Sequence, residues 1–290
     1  MKYIAKKIPE GINVTSRHPL LNFAYLLGTV IAISVFIFIV LGFVAEWLVI
    51  RVSPETEIQM GDMLVQPALD EEITDDKRIQ YIEKLLNSLL TPGETTRLPL
   101  QVHLIDSDVI NAAITVGGHV LVHTALLETV KSENELALVL AHELGHFQAH
   151  DPLKSLGRSL VFMAVSTVLG VGMSESGGLP KIIPLTSELT NLNYSRIQER
   201  AADIYGFYRV VSHYGHGGYS LDFFERLSKG EGRLQKVSQY FLTHPLSQDR
   251  MNDLNAEAAK QGWKMEEELT PLPQWLHCPD MKQCEEPVKE

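Results

Sequence analysis

The chain reads as a helix-rich α+β protein with a small sheet, preceded by one apolar helix long enough to cross a membrane. Three observations predict this. Phe23 to Val44 runs without a charged residue, helical apolar spacing follows Ser132, and short strand patterns occur at Gln101–Ile105 and on both sides of Gly117-Gly118. With 290 residues, 45% of them hydrophobic, the chain can bury one good core. The expected organisation is a short N-terminus (1–19), a signal anchor (20–50), a main domain (51–262) and an acidic, proline-bearing tail (263–290).

As a helix, Phe23 to Val44 would span roughly 33 Å, enough for a hydrocarbon core of about 30 Å. A cleaved signal peptide would have an apolar region of only about 7 to 15 residues and a small-residue cleavage site. Here the run is longer and leads into Glu46, Trp47 and Arg51, with Trp47 suited to the interface. Lys2, Lys6, Lys7 and Arg17 precede the segment, whereas Arg51 stands alone just after it. The expectation is therefore a single-pass protein with a cytoplasmic N-terminus and its main domain on the non-cytoplasmic side, periplasmic in a Gram-negative cell.

Thr74 to Leu90 reads as a capped amphipathic helix, and Gln101–Ile105 as a strand. Ala112–Val116 and His119–His123 form a hairpin whose Gly117-Gly118 turn tolerates positive φ. Ser132 with Glu133 and Glu135 predicts an N-cap and capping box. Leu136, Val139, Leu140 and Leu144 then recur at helical steps until Pro152 stops the run. Leu160–Met173 is too short to span a bilayer and is expected to be a core helix, the alternative being a segment that touches the membrane or covers the site. Ser247 caps a last helix to Lys260, with Gly262 beyond. The tail from 263 is expected to be loosely ordered, with Trp275 as a docking point. Its Cys278 and Cys284 are either a small disulfide loop or two reduced thiols.

The chemistry lies in His142-Glu-Leu-Gly-His146. On a helix, imidazoles four residues apart share a face and reach one zinc ion, and Glu143 beside them can take a proton from a zinc-bound water. A third ligand is required. His150, one turn on, drifts too far along the axis to converge, and a metzincin would need Gly at 149 and His at 152, where Ala149 and Pro152 stand. Downstream, Glu199 and Asp203 lie four apart on a second expected helix, with the small Ala201 and Ala202 between them. That spacing offers Glu199 to the metal and Asp203 to the rear of a ligating imidazole.

His142-Glu-Leu-Gly-His146 followed by Glu199-Arg-Ala-Ala-Asp203 resembles the HtpX/OMA-type, CAAX prenyl endopeptidase-like family of membrane-associated zinc metallopeptidases, of gluzincin type. Asn111-Ala-Ala, the Gly117-Gly118 hairpin, His244-Pro245 and Arg250 extend the resemblance over roughly residues 75 to 255. It implies a zincin-like domain, Zn²⁺ held by His142, His146 and Glu199, Glu143 as general base, and Asp203 behind a zinc histidine. His244 and Arg250 would stand near the site to steady the oxyanion or restrain access. The edge hairpin, with Asn111, Ala112, Ala113, Gly117 and Gly118, would bind extended substrate by main-chain hydrogen bonds.

The expected function is a membrane-anchored zinc metalloendopeptidase acting on membrane or exported proteins, in protein quality control. A second reading is a zinc-containing assembly factor or chaperone whose metal site is closed. Protein or peptide substrates and the bilayer are the expected partners. With 36 acidic against 25 basic residues and a net charge of −11, nucleic acid is not.

Overall fold

A computed structural model of the protein describes residues 19–74, 76–90, 96–168, 194–228, 244 and 248–277. The chain divides into two compact units, Met1–Val44 and Ala45–Glu290. Within the first, helix α1 (Pro19–Val49, extending past the unit boundary) has no buried residue, and it is long and apolar enough to cross a membrane.

The second unit is a small mixed sheet layered against helices. β1 (Glu72–Ile73), β2 (Gln101–Ile105), β3 (Ala112–Ile114) and β4 (His119–His123) take the order β1-β2-β4-β3. β1 runs antiparallel to β2, β2 parallel to β4, and β3 antiparallel to β4, with Ala113 opposite Leu121. Among the described residues β3 is thus an edge strand, as the hairpin pattern predicts. One face of the sheet (Val102, Leu104, Ala112, Ile114, Val120, Val122) enters the main core with helices α3 (Lys77–Ser88) and α5 (Glu133–Gln148). The opposite face carries Ile105 and Leu121 against Val65 of α2 (Pro54–Val65) and the following 3-10 segment Gln66–Glu71.

The short helix α4 (Thr124–Thr129) leads into α5, which lies in the middle of the core, every residue from Asn134 to Phe147 being buried. Ser132 caps it, its Oγ accepting from the Glu135 N–H at 3.2 Å. The reciprocal half of the expected capping box is absent, because the Glu135 carboxylate instead accepts from the Lys131 N–H and pairs with Arg226. α5 ends at Gln148. His150 takes a φ of +59°, and Pro152 lies in the first turn of α6 (Asp151–Val168), where its missing N–H costs nothing. Pro152 thus opens a helix rather than merely ending one.

Several expectations shift. α3 begins at Lys77 with Asp76 as its cap, since Asp76 Oδ1 accepts from the Arg78 N–H, so Thr74 lies outside the helix. α2 and β1 carry no strong periodicity and are additions of the structure. α6 is buried only through Gly157, while Leu160, Phe162 and Val168 are exposed, so its second half is not the core helix expected there; residues 169–173 of the expected Leu160–Met173 segment lie outside the described residues. After α7 (Arg196–Tyr214) and α8 (Asp222–Ser228), the segment that follows α9 (Gln248–Gln261) is not loose through His277. Leu276 is buried, Trp275 meets Tyr81 edge-on at 5.7 Å, Thr270 pairs with Asn134 and Glu133, and His277 reaches the Leu127 carbonyl. Trp275 docks as anticipated. Cys278, Cys284, Pro245 and Ser247 lie outside the described residues.

Candidate metal centre

Two helices build the site. α5 presents His142, Glu143 and His146, and α7 (Arg196–Tyr214) presents Glu199 and Asp203. α7 starts with a capping box in which Ser195 and Gln198 satisfy each other's backbone. The helices approach closely because small residues meet. A Cβ on Gly145 would lie 2.9 Å from Ala202 Cα, and one on Gly206 would lie 2.8 Å from the His142 backbone nitrogen. Ala202 is buried at this contact, whereas Ala201 is exposed.

That approach gathers the donors. His142 Nε2 and His146 Nε2 are 3.1 Å apart, and Glu199 sits 3.6 Å from the first through Oε2 and 3.4 Å from the second through Oε1. His244 enters from the stretch before α9, its Nδ1 3.3 Å from His142 Nε2 and 3.0 Å from Glu199 Oε1. His142, His146, Glu199 and His244 are all buried, and among the described residues they form the one group of three or more ligating side chains with donor atoms within 4.8 Å of one another. Three imidazoles and a carboxylate with converging lone pairs are a donor set suited to zinc.

The far nitrogens are held by carboxylates. His142 Nδ1 is 3.1 Å from Asp203 Oδ1, a close charge contact rather than an aligned hydrogen bond, and His146 Nδ1 is 3.0 Å from Asp151 Oδ2. Such partners put the ring proton on the outer nitrogen and leave Nε2 bare for a metal. Asp151 escapes a reading of the sequence. It follows His146 by five residues, and only its Asp-Pro helix-start signal marks it. Tyr194, stacked on the His146 ring at 3.9 Å, also fixes the site, with no sequence signal beyond preceding the cap.

The electrostatics follow from burial opposed by ion pairing. Burial works against charge on Glu199, but hydrogen bonds from His146 and His244 hold its carboxyl far below the usual range. Asp203 is likewise depressed, with Arg250 and His142 outweighing burial. Burial disfavours the charged form of His146, yet Asp151 and Glu199 lift it to about 9 in the metal-free protein. On His142 burial prevails and the pKa falls.

Arg250 differs from the expected oxyanion role. Its guanidinium grips Asp203 through Nε at 2.7 Å and NH2 at 2.6 Å, and meets Glu199 through NH1 at 2.7 Å, so it stands behind the carboxylates and positions them.

Glu143 faces the sheet edge. Its Oε2 accepts from the Ile114 N–H at 3.4 Å, while Oε1 accepts no hydrogen bond and has His244 Nε2 at 3.4 Å. The main-chain bonds of Asn111 to His123 and Thr115 to His119 are the inward pairs of the ladder, which leaves the backbone of Ala112 and Ile114 turned to the free edge. Ala113 pairs inward. Gly117 and Gly118 are buried in the turn at φ +84° and +87°, where Cβ atoms would strike Gly61 and Pro99. They shape the hairpin rather than face a substrate.

The model of peptidase family M48 matches residues 74–258. A β-barrel assembly-enhancing protease of Yersinia pestis is 28% identical over 218 residues, covering 71% of this chain and 44% of that protein. The protein of the same name from Escherichia coli K12 is 29% identical, with 70% and 44% covered. The mitochondrial metalloendopeptidase OMA1 of Schizosaccharomyces pombe is 25% identical over 174 residues, with 60% and 51% covered. The chain therefore spans about half the length of these relatives. With a match over more than half of its residues, the chain belongs to peptidase family M48, a family of metalloproteases.

Proposed function

We propose that this protein is a zinc metalloendopeptidase, held at a membrane by α1, that hydrolyses peptide bonds of membrane or exported proteins. The observation that carries this reading is the convergence of His142, His146 and Glu199 with Glu143 beside the open backbone of β3. The β-barrel assembly-enhancing proteases among its relatives fit clients of this kind.

His142, His146 and Glu199 would hold the ion, with Asp203, Asp151 and Arg250 fixing their orientation. When bound, zinc would lower the pKa of a coordinated water to about 7 and polarise the scissile carbonyl. The chain's own groups do the rest. Ala112 offers its main-chain N–H and C=O, and Ile114 its C=O, to an extended peptide, which reads backbone more than side chain. Glu143 Oε1, unengaged by any hydrogen bond, takes the proton of the attacking water and returns it to the departing amine, while the Ile114 N–H keeps Oε2 in place. A surface of net negative charge leaves membrane attachment to α1, and the basic residues ahead of that helix support an orientation with the catalytic domain on the non-cytoplasmic side.

Glu143→Gln is the test. The variant is expected to keep zinc and to cleave an unfolded protein about 10²- to 10⁴-fold more slowly. Full activity would sink the mechanism.

A second reading rests on His244, which stands where it can act as a fourth ligand. A filled shell has no room for water or substrate, so the site would be shut until His244 withdraws. On this reading His244→Ala raises peptidase activity. A fall in activity with zinc retained would show that His244 serves the reaction instead.

A further inference from the structure

Helix α6 changes character along its length. Its first half is largely buried, with Leu153 and Leu156 packed beside Tyr194 and Asp151 behind His146. Arg158 is its last charged residue, and from 159 to 168 the helix runs without a charge. No residue of that stretch is buried, and Phe162 and Val168 are 60% and 86% exposed. Leu160 to Val165 are all apolar, and at 3.6 residues per turn they cover the whole circumference. A helix segment apolar on all sides is at home only in a protein core or in a bilayer, and here no core covers it. Thr167 Oγ1 donates to the Met163 carbonyl at 2.8 Å, which satisfies its hydroxyl without water, as Thr29 Oγ1 does with the Tyr25 carbonyl on α1.

The base of this segment is fastened to the end of the candidate anchor. The last turn of α1, from Ala45, belongs to the second unit. There Arg158 NH1 lies 2.6 Å from Glu46 Oε1, and Gly157 abuts the turn so closely that a Cβ would fall 3.0 Å from Val49 Cγ1 and 3.6 Å from the Ala45 carbonyl carbon. Ala45 directly follows the uncharged run Phe23 to Val44. Trp47, exposed and with the Arg51 guanidinium 3.7 Å from its ring centroid, suits the bilayer interface. The uncharged end of α6 therefore starts at the level where α1 enters hydrocarbon.

We propose that the second half of α6, residues 159–168, inserts among lipid acyl chains as a second membrane contact, on the reading that α1 is the anchor. At 1.5 Å per residue the segment reaches about 15 Å, half of a hydrocarbon core of about 30 Å, so it enters one leaflet and does not cross. Its bearing on the reaction follows from where α6 begins. Asp151, which orients His146, lies about 12 Å before Ser159 along the helix axis. One helix thus ties the metal centre to the bilayer surface, and the clients it favours are chain segments lying at that surface.

The test is fluorescence quenching of the full chain in phosphatidylcholine nanodiscs, with Cys278→Ser and Cys284→Ser as background. A polarity-sensitive label is placed on one new cysteine: Phe162→Cys on α6, Phe36→Cys on α1 or Lys260→Cys on α9. All three side chains are exposed, so the core is untouched. Brominated acyl chains are expected to quench the labels at 36 and 162, whose emission shifts to the blue, and aqueous iodide to quench only the label at 260. If iodide quenches 162 as it does 260 while bromine quenches 36, α1 is the only contact and the proposal fails. Iodide quenching at both 36 and 162 refutes the anchor as well. Protection of 162 from both quenchers means that protein covers it, which equally overturns the proposal.

Discussion

Gly206→Ala tests whether helix contact sets the metal site. Gly206 lies on α7 about two turns beyond Glu199, and an added Cβ would fall 2.8 Å from His142 N, 3.0 Å from Ala141 C and 3.1 Å from His142 Cα. These are backbone atoms of α5, so no rotamer change makes room, and α7 must withdraw by about 0.6 Å to reach ordinary contact. Metal–ligand distances tolerate only about ±0.2 Å. Alanine favours a helix interior over glycine by about 0.5–1 kcal/mol, against an overpacking cost of about 1–3 kcal/mol, which leaves a net loss of at most about 2.5 kcal/mol. At roughly 2–4 °C per kcal/mol, the metal-free variant should melt within about 10 °C of wild type and remain folded. Its zinc affinity is nevertheless expected to fall by roughly 10- to 100-fold, as when a ligand's orientation is disturbed. Chelator competition beside a circular-dichroism melt separates the two effects. Wild-type zinc affinity in the folded variant would refute the argument that the α5–α7 contact sets Glu199 against the histidine pair.

Other residues give independent checks. Asp151→Asn removes the carboxylate that orients His146, and zinc affinity should fall by roughly 10- to 100-fold in the same competition assay. Ser132→Ala deletes the cap of the buried α5 and should cost about 0.5–2 kcal/mol by urea unfolding. The pH dependence has a definite sign. The folded pKa of His146, raised from 6.5 to about 9, gives a contribution that is complete below 6.5 and lost as pH climbs through 9. The metal-free protein should therefore lose stability over that interval by urea unfolding. The zinc-loaded protein should lack this loss, because ligation requires the neutral ring.

The parts of the fold that a single chain segment decides were legible in the sequence. The Ser132 cap, the apolar spacing of Leu136 to Leu144 and the double glycine of the hairpin act within a few residues, and the structure has each of them in place. Features that depend on partners distant in sequence were not. The carboxylate of Glu135 is diverted to Arg226, ninety-one residues away, so the reciprocal capping bond that local spacing predicts does not form. Arg250 faces Asp203 and Glu199 rather than an oxyanion because two buried carboxylates outbid any more exposed position for a guanidinium.

The same distinction governs the metal site. The spacing of His142 and His146 and that of Glu199 and Asp203 are each fixed by helical geometry, so the candidate ligands could be named from their positions alone. Whether the two sets meet is a matter of how closely two helices approach. Gly145 and Ala202 allow that at one crossing point, and Gly206 with the backbone of His142 at another. In the sequence these are merely small residues. In the fold they set the helix separation, and with it whether Glu199 can reach the histidines at all. Moving α7 outward by the width of a single methyl would leave every residue of the motif present and the donor set undone. Small-residue contacts between α5 and α7 are therefore as much a condition of the chemistry as the ligands themselves.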